Sequence, residues 1–316
     1  MSSEAFLVTG ALGCIGAWTV KALVADGHRV VTFDLPGEPR RLRAIMSAAE
    51  LAQVTFTEGD VTSSDSIRAA LDEHAITHVV HLAALQVPFV RANPILGAQV
   101  NVVGTVNVFE AVRARRQQIT APIVYASSAA VFRLEDSAEV AVNETAPMVP
   151  GTLYGVFKLA NEGSARIAFE ENGIPSIGVR PYTVYGPGRD QGVTAAPTHA
   201  MAAAARGEEY RIPYGGRIFL NYAPDVAQAI VQASLSGFAT QGVFNVPGSS
   251  AHMSDVVREI EAVVPEARGT ITFEEAPLPF PEELAVGGLE RAVGALPVTP
   301  LATAVAATVA HFRAAG

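Results

Sequence analysis

A tyrosine and a lysine four positions apart are the residues of this sequence with the clearest capacity for chemistry. Tyr154 and Lys158 begin a segment with helical spacing, 154–172, so both side chains are expected on one face of a helix. An ammonium group beside a phenol lowers the pKa of the phenol, and a tyrosinate near working pH is a competent general base towards an alcohol. Taken alone, such a pair is more often a packed ring beside a solvated amine. Other motifs in the sequence are therefore needed to distinguish a catalytic pair from a structural one.

Two serines supply hydroxyl groups that could act together with the phenol. Ser127 and Ser128 close the predicted strand 122–127, at the carboxyl edge of the expected sheet, where doubly wound folds bind their ligands. A hydroxyl at that edge can donate a hydrogen bond to a substrate oxygen and stabilise developing negative charge. The sequence therefore predicts a site of polar chemistry at the end of this strand.

A glycine-rich turn lies between the first predicted strand, 5–9, and the first predicted helix, 15–26. The turn reads Gly10-Ala11-Leu12-Gly13-Cys14-Ile15-Gly16. Glycines permit a tight turn and let backbone N–H groups approach a pyrophosphate, which the helix N-terminus also attracts. The spacing differs slightly from the commoner Gly-x-Gly-x-x-Gly, and a plain strand-to-helix turn is the alternative. The place of the turn between strand and helix favours dinucleotide binding.

Asp34 ends the second predicted strand, 29–34, and lies 18 residues after Gly16. A carboxylate there can accept hydrogen bonds from both ribose hydroxyls of adenosine and repels the additional phosphate of NADP, so the predicted cofactor is NAD. Three arginines follow it: Arg40, Arg41 and Arg43. A solvated basic face is the favoured interpretation of these arginines, and a site for a 2′-phosphate is the alternative.

Asp60 and Val61 follow the third predicted strand, 54–58, where a contact with adenine would lie. The alternative is an ordinary helix cap by Asp60 or Ser63 ahead of the predicted helix 64–73. Both interpretations stay open at this point.

The elements that must position these residues alternate between β-rich runs and helical segments up to residue 180. The predicted strands are 5–9, 29–34, 54–58, 78–82, 122–127 and 176–180, and the helices between them are 15–26, 64–73, 94–115 and 154–172. Such alternation predicts an α/β, Rossmann-type doubly wound parallel sheet with helices on both faces.

After residue 180 the alternation breaks, and a smaller C-terminal substrate-binding lobe is expected. The later predicted helices are 195–206, 225–234, 254–264 and 295–312, and the later strands are 242–246 and 270–273. The predicted dinucleotide-binding domain is 1–180, with a return of the chain at about 220–246. The predicted substrate-binding lobe is 181–219 and 247–316.

Composition limits the classes of function. The 316 residues are 49% hydrophobic and 17% charged, which excludes a disordered chain. A net charge of −9 argues against nucleic acid or an anionic membrane as the main partner. The single cysteine, Cys14, excludes an internal disulfide and any multi-cysteine metal site. His74 and His78 straddle a predicted helix–strand boundary, so no metal site is predicted. Without a visible targeting segment or membrane span, the expected location is the cytoplasm.

Taken together, the motifs resemble the extended short-chain dehydrogenase/reductase family, in its NAD-dependent epimerase/dehydratase branch. The resemblance covers essentially the whole chain and is carried by Thr9-Gly10 to Gly16, Asp34, Asp60-Val61, His81-Leu82-Ala83-Ala84, Asn101 to Thr105, Tyr125 to Ser128, Tyr154 with Lys158, Arg180-Pro181 and Tyr185 to Gly188. It implies that Tyr154 is the general acid/base and that Lys158 holds the nicotinamide ribose and lowers the pKa of Tyr154. It also implies that Ser128 orients the substrate, with Ser127 as the second choice.

The same resemblance implies the residues that bind NAD and the assembly. The implied cofactor-binding residues are Gly10, Gly13, Cys14, Ile15, Gly16, Asp34, Asp60, Val61, Leu82, Ala83, Ala84, Asn101, Tyr154, Lys158 and Tyr182. Members of the family are commonly homodimers joined through the helices that correspond to 94–115 and 154–172. A homodimer is therefore expected by analogy.

Two departures from the nucleotide-sugar members bear on the substrate. Thr183 stands where those members usually carry an asparagine, and alignment on Tyr222 puts Ile218 where they carry an arginine that contacts a diphosphate. Loss of such a contact costs affinity, although the neighbouring Arg217 could compensate. A smaller sugar, sugar acid or polyol is therefore expected. The candidate substrate contacts are Gln86, Ser128, Thr183, Arg189, His199 and Arg217, and solvated or packed side chains are the alternative for each.

The leading prediction is an NAD-dependent oxidoreductase that acts on a secondary alcohol of such a substrate. The alternative is an epimerase of a sugar or nucleotide sugar, such as a UDP-sugar 4-epimerase, that keeps its cofactor and returns the hydride to the opposite face. A dinucleotide sensor without catalysis is a third possibility. The intact set of Tyr154, Lys158 and Ser128 argues against it, because a sensor needs no acid/base phenol.

Overall fold

The structure is a computed structural model and describes residues 4–132 and 141–315. The strands are β1 (Ala5–Thr9), β2 (Arg29–Asp34), β3 (Val54–Glu58), β4 (His78–His81), β5 (Ile123–Ala126), β6 (Ser176–Arg180), β7 (Thr183–Tyr185), β8 (Tyr210–Ile212), β9 (Arg217–Tyr222), β10 (Gln241–Asn245), β11 (Ser249–His252) and β12 (Ile271–Phe273). The helices are α1 (Cys14–Ala25), α2 (Arg40–Ile45), α3 (Ala48–Leu51), α4 (Ser64–Glu73), α5 (Val87–Ala92), α6 (Pro94–Ala98), α7 (Gly104–Arg113), α8 (Leu153–Asn172), α9 (Ala196–Arg206), α10 (Ala223–Leu235), α11 (Met253–Val263), α12 (Gly288–Val293) and α13 (Leu301–Ala315).

A seven-stranded parallel sheet forms the centre of the molecule, in the order β10-β6-β5-β4-β1-β2-β3. Every residue of β1 is buried, as expected for an apolar strand in the middle of a sheet that is covered on both faces. One face packs against α1 and α10, and the other packs against α4, α7 and α8. The predicted Rossmann-type fold is confirmed.

The second lobe is built on small sheets that the sequence analysis found only in part. Strands β11, β9 and β7 form a three-stranded sheet, and β12 pairs with β8. Helices α9, α11 and α13 cover these strands around a separate apolar core. Strand β10 returns to the main sheet beside β6, so the chain passes between the two lobes more than once.

Two predicted helices differ from the structure in their interior or by more than two residues at an end. The predicted helix 94–115 is divided into α6, a π-helical turn at Gln99–Val103, and α7. The predicted helix 295–312 begins only at Leu301, because Pro297 and Pro300 lie in the extended approach and the Pro300 carbonyl accepts the first helical bond, from Ala304.

Candidate active site

Three chain segments meet where the strand order of the main sheet reverses between β1 and β4. They are the glycine turn after β1, the segment 82–86 after β4, and Ser127 with Ser128 after β5. All three leave the carboxyl ends of parallel strands, which is where open α/β sheets bind ligands. The fold therefore collects the predicted catalytic and cofactor-binding residues at one edge.

The glycine turn fits the pyrophosphate of a dinucleotide. Gly10 has a φ of +68°, and a Cβ there would lie 2.6 Å from the backbone nitrogen of Ala83. A Cβ on Gly16 would overlap the carbonyl oxygen of Gly10. Gly13 is the N-cap of α1, and no side chain of the described residues caps this helix, so the N–H groups at Cys14 and Ile15 are available to an anion.

Asp34 is anchored to the same turn. Its carboxylate accepts hydrogen bonds from the backbone N–H groups of Leu12 and Leu35, each at 2.9 Å. Burial raises the pKa of Asp34, while these two bonds and the charge of Arg41 oppose the rise. A carboxylate has further lone pairs, which can accept hydrogen bonds from ribose hydroxyls. These residues fit NAD, whose part in the chemistry is to accept and return a hydride.

The interpretation of the three arginines after Asp34 as a solvated basic face fails for one of them. The side chain of Arg43 is 61% exposed and pairs with Glu38. The side chain of Arg41 is only 15% exposed, because it pairs with Asp190 at 2.6 Å and donates to the Leu12 carbonyl at 2.8 Å. Arg40 contacts the same aspartate at 3.0 Å.

Asp60 and Val61 form a turn that packs against α7. Asp60 accepts a hydrogen bond from the N–H of Thr62 at 2.8 Å, and the helix cap of α4 is Ser63. Val61 is buried beneath Gly104, and its carbonyl accepts a bond from Asn107 at 3.0 Å. Of the two capping candidates, the structure therefore selects Ser63.

Tyr154 and Lys158 share one face of α8, as their spacing predicts. The ammonium group of Lys158 is buried, donates to the carbonyl of Ala126 at 2.6 Å, and lies 5.6 Å from the centre of the Tyr154 ring. The side chain of Ser128 lies close enough to the phenol of Tyr154 to lower its pKa by hydrogen bonding. It also accepts from the N–H of Ala130 at 3.1 Å, which fixes its position. The arrangement can hold a substrate oxygen between two hydroxyl groups.

The electrostatics of this pair differ from the sequence-based expectation. Burial raises the pKa of Tyr154, and the opposing influences are the hydrogen bond with Ser128 and the charge of Arg189. Burial also lowers the pKa of Lys158 to about 8, against the attraction of Glu162. The groups that lower the pKa of the phenol in the structure are Ser128 and Arg189 rather than Lys158, and desolvation outweighs them.

Ser127 points away from Tyr154 into a buried polar cluster. Its hydroxyl donates to Glu162, whose carboxylate also pairs with Arg180 at 2.7 Å and 2.8 Å. Arg180 donates to the carbonyl of Glu144 and lies over the ring of Phe132. The hydroxyl of Ser127 is therefore engaged by Glu162, which favours Ser128 as the hydroxyl that meets the substrate. The sequence analysis missed Glu162, although it continues the spacing of Tyr154 and Lys158 by one more turn.

Asn101 holds the chain after β4 rather than presenting its side chain to a ligand. Its amide accepts from the N–H of Leu85 at 2.7 Å and donates to the carbonyl of Leu85 at 2.9 Å. Its backbone carbonyl accepts bonds from Asn161 and Thr105. Its direct bonds to Leu85 therefore support the segment 82–86, which contains the expected cofactor contacts Leu82, Ala83 and Ala84.

His81, at the end of β4, is also fixed by its neighbours. Its Nδ1 lies 2.7 Å from the hydroxyl of Thr9, and its Nε2 lies 3.0 Å from the hydroxyl of Thr105. Because Thr105 donates its proton to Asn101, it accepts from Nε2–H, and Nδ1 accepts from Thr9. Burial and the charge of Lys158 lower the pKa of His81 to about 3, so the imidazole is neutral.

The candidate substrate contacts fall into separate groups. Arg189 donates to Thr194 at 2.9 Å, and its Nε is buried with no hydrogen-bond partner among the described residues. Its charge acts on Tyr154, Cys14 and Tyr214, so it lies in the cleft between the glycine turn, α8 and the second lobe. Gln86 is close by, since a Cβ on Gly192 would lie 3.1 Å from its Oε1.

The other candidates are further into the second lobe. Thr183 is fully buried, and its hydroxyl has no hydrogen-bond partner in the described parts of the chain. His199 packs against Tyr210, with its Nδ1 3.5 Å from the tyrosine hydroxyl. Arg217 is exposed at the beginning of β9, 3.4 Å from the hydroxyl of Ser250. Tyr182, which the resemblance places among the cofactor-binding residues rather than the substrate contacts, packs edge-on against Phe280.

Asn221 organises this region and was missed by the sequence analysis. It is fully buried, accepts from the N–H of Tyr182 at 2.7 Å, and donates to the carbonyls of Val246 and Pro247. It therefore joins β7 and β9 to the end of β10. An asparagine inside an apolar strand was the available signal, because a buried amide needs partners.

Several known proteins are similar to this chain along much of its length. The model of the NAD-dependent epimerase/dehydratase family matches residues 6–246. UDP-glucuronate 4-epimerase 5 of Arabidopsis thaliana is 33% identical over 185 residues, which are 57% of this chain and 42% of that protein. UDP-glucose 4-epimerase of Mycolicibacterium smegmatis is 29% identical over 97% of this chain and 98% of its own length. The solved structure of Thermus thermophilus UDP-glucose 4-epimerase in complex with NAD is 25% identical, with a TM-score of 0.80 over 99% of this chain and 100% of that one.

Proposed function

Because the chain belongs to the NAD-dependent epimerase/dehydratase family, we propose that it is a nucleotide-sugar 4-epimerase in which Tyr154 moves the proton of the reacting hydroxyl. The observation that carries the proposal is the placement of Tyr154, Ser128 and Lys158 at the same sheet edge as the glycine turn. The choice of a nucleotide sugar is supported by the relatives, which are UDP-sugar 4-epimerases. This reverses the order of the two functions predicted from the sequence.

The residues of the site divide the work between them. Ser128 and Tyr154 both bind the reacting hydroxyl. The positive charge of an oxidised nicotinamide beside the ring would favour the tyrosinate form of Tyr154 against the effect of burial. The tyrosinate accepts the proton while the hydride passes to NAD and the alcohol becomes a carbonyl. When the carbonyl is reduced on its opposite face, Tyr154 returns the proton. Lys158 is held by the Ala126 carbonyl, so its charge stays beneath the phenol during both steps.

Arg189 supports an acidic sugar as the substrate. Its guanidinium is close enough to Tyr154 to lower the pKa of the phenol, and its buried Nε has no partner among the described residues. A carboxylate on the sugar can satisfy such a group with a charge-assisted bond. We therefore propose UDP-glucuronate as the first substrate to test, ahead of UDP-glucose.

The test is to incubate the purified protein with UDP-glucuronate and with UDP-glucose, and to separate the epimers by chromatography. We expect epimer formation without accumulation of NADH, and a larger loss of activity towards UDP-glucuronate than towards UDP-glucose in Arg189→Gln. The control is Arg211→Gln, an exposed arginine of the second lobe that pairs with Glu274. Equal losses with both substrates would contradict the assignment of Arg189 to a sugar carboxylate.

A net oxidoreductase of a free sugar acid is the second candidate. It is supported by Ile218, which stands where the nucleotide-sugar members carry an arginine that contacts a diphosphate, and by Thr183 in place of asparagine. NADH formed in proportion to the added sugar acid, with no epimer of any UDP-sugar, would favour this candidate and contradict the epimerase.

We also propose that the protein is a homodimer joined through α6, α7 and α8. Apolar side chains on these helices and on the π-helical turn between α6 and α7 face outward: Ile95 (75% exposed), Val103, Val106, Val156 and Ile167. A Cβ on Gly163 would meet nothing within 4 Å, so a second helix has room to approach α8 there. Together these features form a patch of the kind that is buried between subunits.

One segment of this patch also has the length and composition of a membrane span. Among the described residues, Pro94–Arg113 is the helix that meets these two criteria, with a mean hydropathy of 1.4 and 44% of the window buried within the protein.

Light scattering tests the proposed dimer. Val106→Glu is expected to give monomers where the unchanged protein gives dimers, and a monomeric unchanged protein would contradict the proposal.

A further inference from the structure

The loop 186–190 lies against the part of the molecule that fits the dinucleotide. The carbonyl of Pro187 accepts a hydrogen bond from the indole of Trp18 at 2.8 Å and lies 3.9 Å from the sulfur of Cys14. Cys14 is the first residue of α1, whose N-terminus fits the pyrophosphate. The loop therefore covers the end of this helix.

One partly buried guanidinium, that of Arg41, fastens this loop to the glycine turn. Arg41 donates to the carbonyl of Leu12 in the turn at 2.8 Å, to the carbonyl of Gly188 at 3.1 Å, and to the carboxylate of Asp190 at 2.6 Å. Arg40 adds a more exposed contact with the other oxygen of Asp190 at 3.0 Å. Arg41 thus touches both sides of the cleft at once.

These contacts show whether Arg41 holds the loop or binds a 2′-phosphate. Its Nε, Nη1 and Nη2 all donate to protein oxygens, and the carboxylate of Asp190 neutralises its charge. A ligand for a 2′-phosphate needs donors and charge that are free for the phosphate. Arg41 is therefore built to hold the loop.

The loop also determines where Arg189 lies. Arg189 is the neighbour of Asp190 in the chain, and its charge reaches Tyr154 on the other side of the cleft. Gly188 has a φ of +86° and Gly192 a φ of +83°, so left-handed residues flank this short segment. Fixing Asp190 to α2 thereby limits the positions that the guanidinium of Arg189 can reach.

We infer that the loop 186–190 is a strap over the bound dinucleotide and that Arg41 and Asp190 are the pair that fastens it. Opening of this pair must precede departure of the cofactor, because the loop covers the N-terminus of α1. Slow departure suits an enzyme that returns the hydride to the same substrate, and in this respect alone the inference rests on the proposed function. Arg41 and Asp190 act through the loop, so both are positioning residues.

The experiment measures the cofactor and needs no sugar. Arg41→Gln and Asp190→Asn are compared with Arg43→Gln, which removes an exposed arginine from the same helix. The NAD retained by each purified protein is determined after denaturation. The dissociation rate of bound NADH is then followed by its fluorescence while excess NAD displaces it.

We expect NADH to leave about tenfold faster from Arg41→Gln and Asp190→Asn than from the unchanged protein, because each loses a charge-assisted contact. Arg43→Gln is expected to release NADH at the unchanged rate. The double variant should be no faster than the faster single variant, since both changes open one fastening.

Release of NADH from both variants at the rate of Arg43→Gln would overturn the inference, whatever sugar the protein acts on. Circular dichroism identifies a variant that does not fold. If Arg41→Gln fails this check, Asp190→Asn decides alone, because Asp190 lies on an exposed loop. Failure to epimerise any sugar would contradict the proposed function and leave the release rates as a separate result.

Discussion

Glu162→Gln is a direct probe of the buried ion pair behind the active site. Glu162 and Arg180 are 6% and 2% exposed, and two hydrogen bonds of 2.7 Å and 2.8 Å join them. Removing the carboxylate leaves a buried guanidinium without a counter-charge, and such a change costs about 3–5 kcal/mol. The free energy of unfolding should fall by about this amount at pH 7.

The matched control is Glu170→Gln on the same helix. Glu170 pairs with Arg166 four residues away, and both side chains are at least half exposed. Such surface pairs contribute about 0.3–0.5 kcal/mol. Urea titrations of both variants give the two losses of unfolding free energy. If Glu162→Gln lowers the free energy of unfolding no more than Glu170→Gln does, Glu162 does not neutralise a buried charge on Arg180.

Two further changes test the cofactor turn and the histidine beneath it. Gly16→Ala should lose most of the NAD retained by the purified protein, because a Cβ there overlaps the Gly10 carbonyl. Gly37→Ala, whose Cβ meets only ordinary contacts, should keep its NAD. Retention of NAD by both variants would contradict the need for a glycine at position 16. The low pKa of His81, about 3 against 6.5 when unfolded, means that the unfolded chain binds the proton first as the pH falls. The free energy of unfolding should therefore fall below pH 6.5, by about 2–3 kcal/mol between pH 6.5 and 4.5. His81→Asn should lack this part of the loss in acid titrations of unfolding. Equal losses in the unchanged protein and in His81→Asn would show that His81 does not have this low pKa in the folded state.

The sequence predicts the central sheet well because its signal is local. Strands β1, β2, β3 and β6 have the predicted bounds, since each is a short run with β-branched or aromatic residues that ends at turn residues or a charged residue. The second lobe is harder to predict. Strands β7 and β8 have only three residues each and are held by partners far away in the chain, so no periodicity marks them.

The site shows the same limit at the level of single residues. Ser127 and Ser128 are neighbours, and the sequence cannot decide between them. The decision comes from Glu162, which is 35 residues away and takes the hydroxyl of Ser127. Likewise, Arg41 reads as a surface arginine until Asp190, 149 residues away, is placed beside it. Contacts of this range depend on the completed fold.

The central claim is that Tyr154 carries the proton of the reacting hydroxyl beside bound NAD. The most direct measurement is epimer formation by Tyr154→Phe, together with the NAD retained by the same protein. Loss of general acid/base catalysis predicts a decrease of about 10²- to 10⁴-fold in turnover, with retained NAD and folding unchanged. Turnover within tenfold of the unchanged protein, at equal NAD content, would contradict the account.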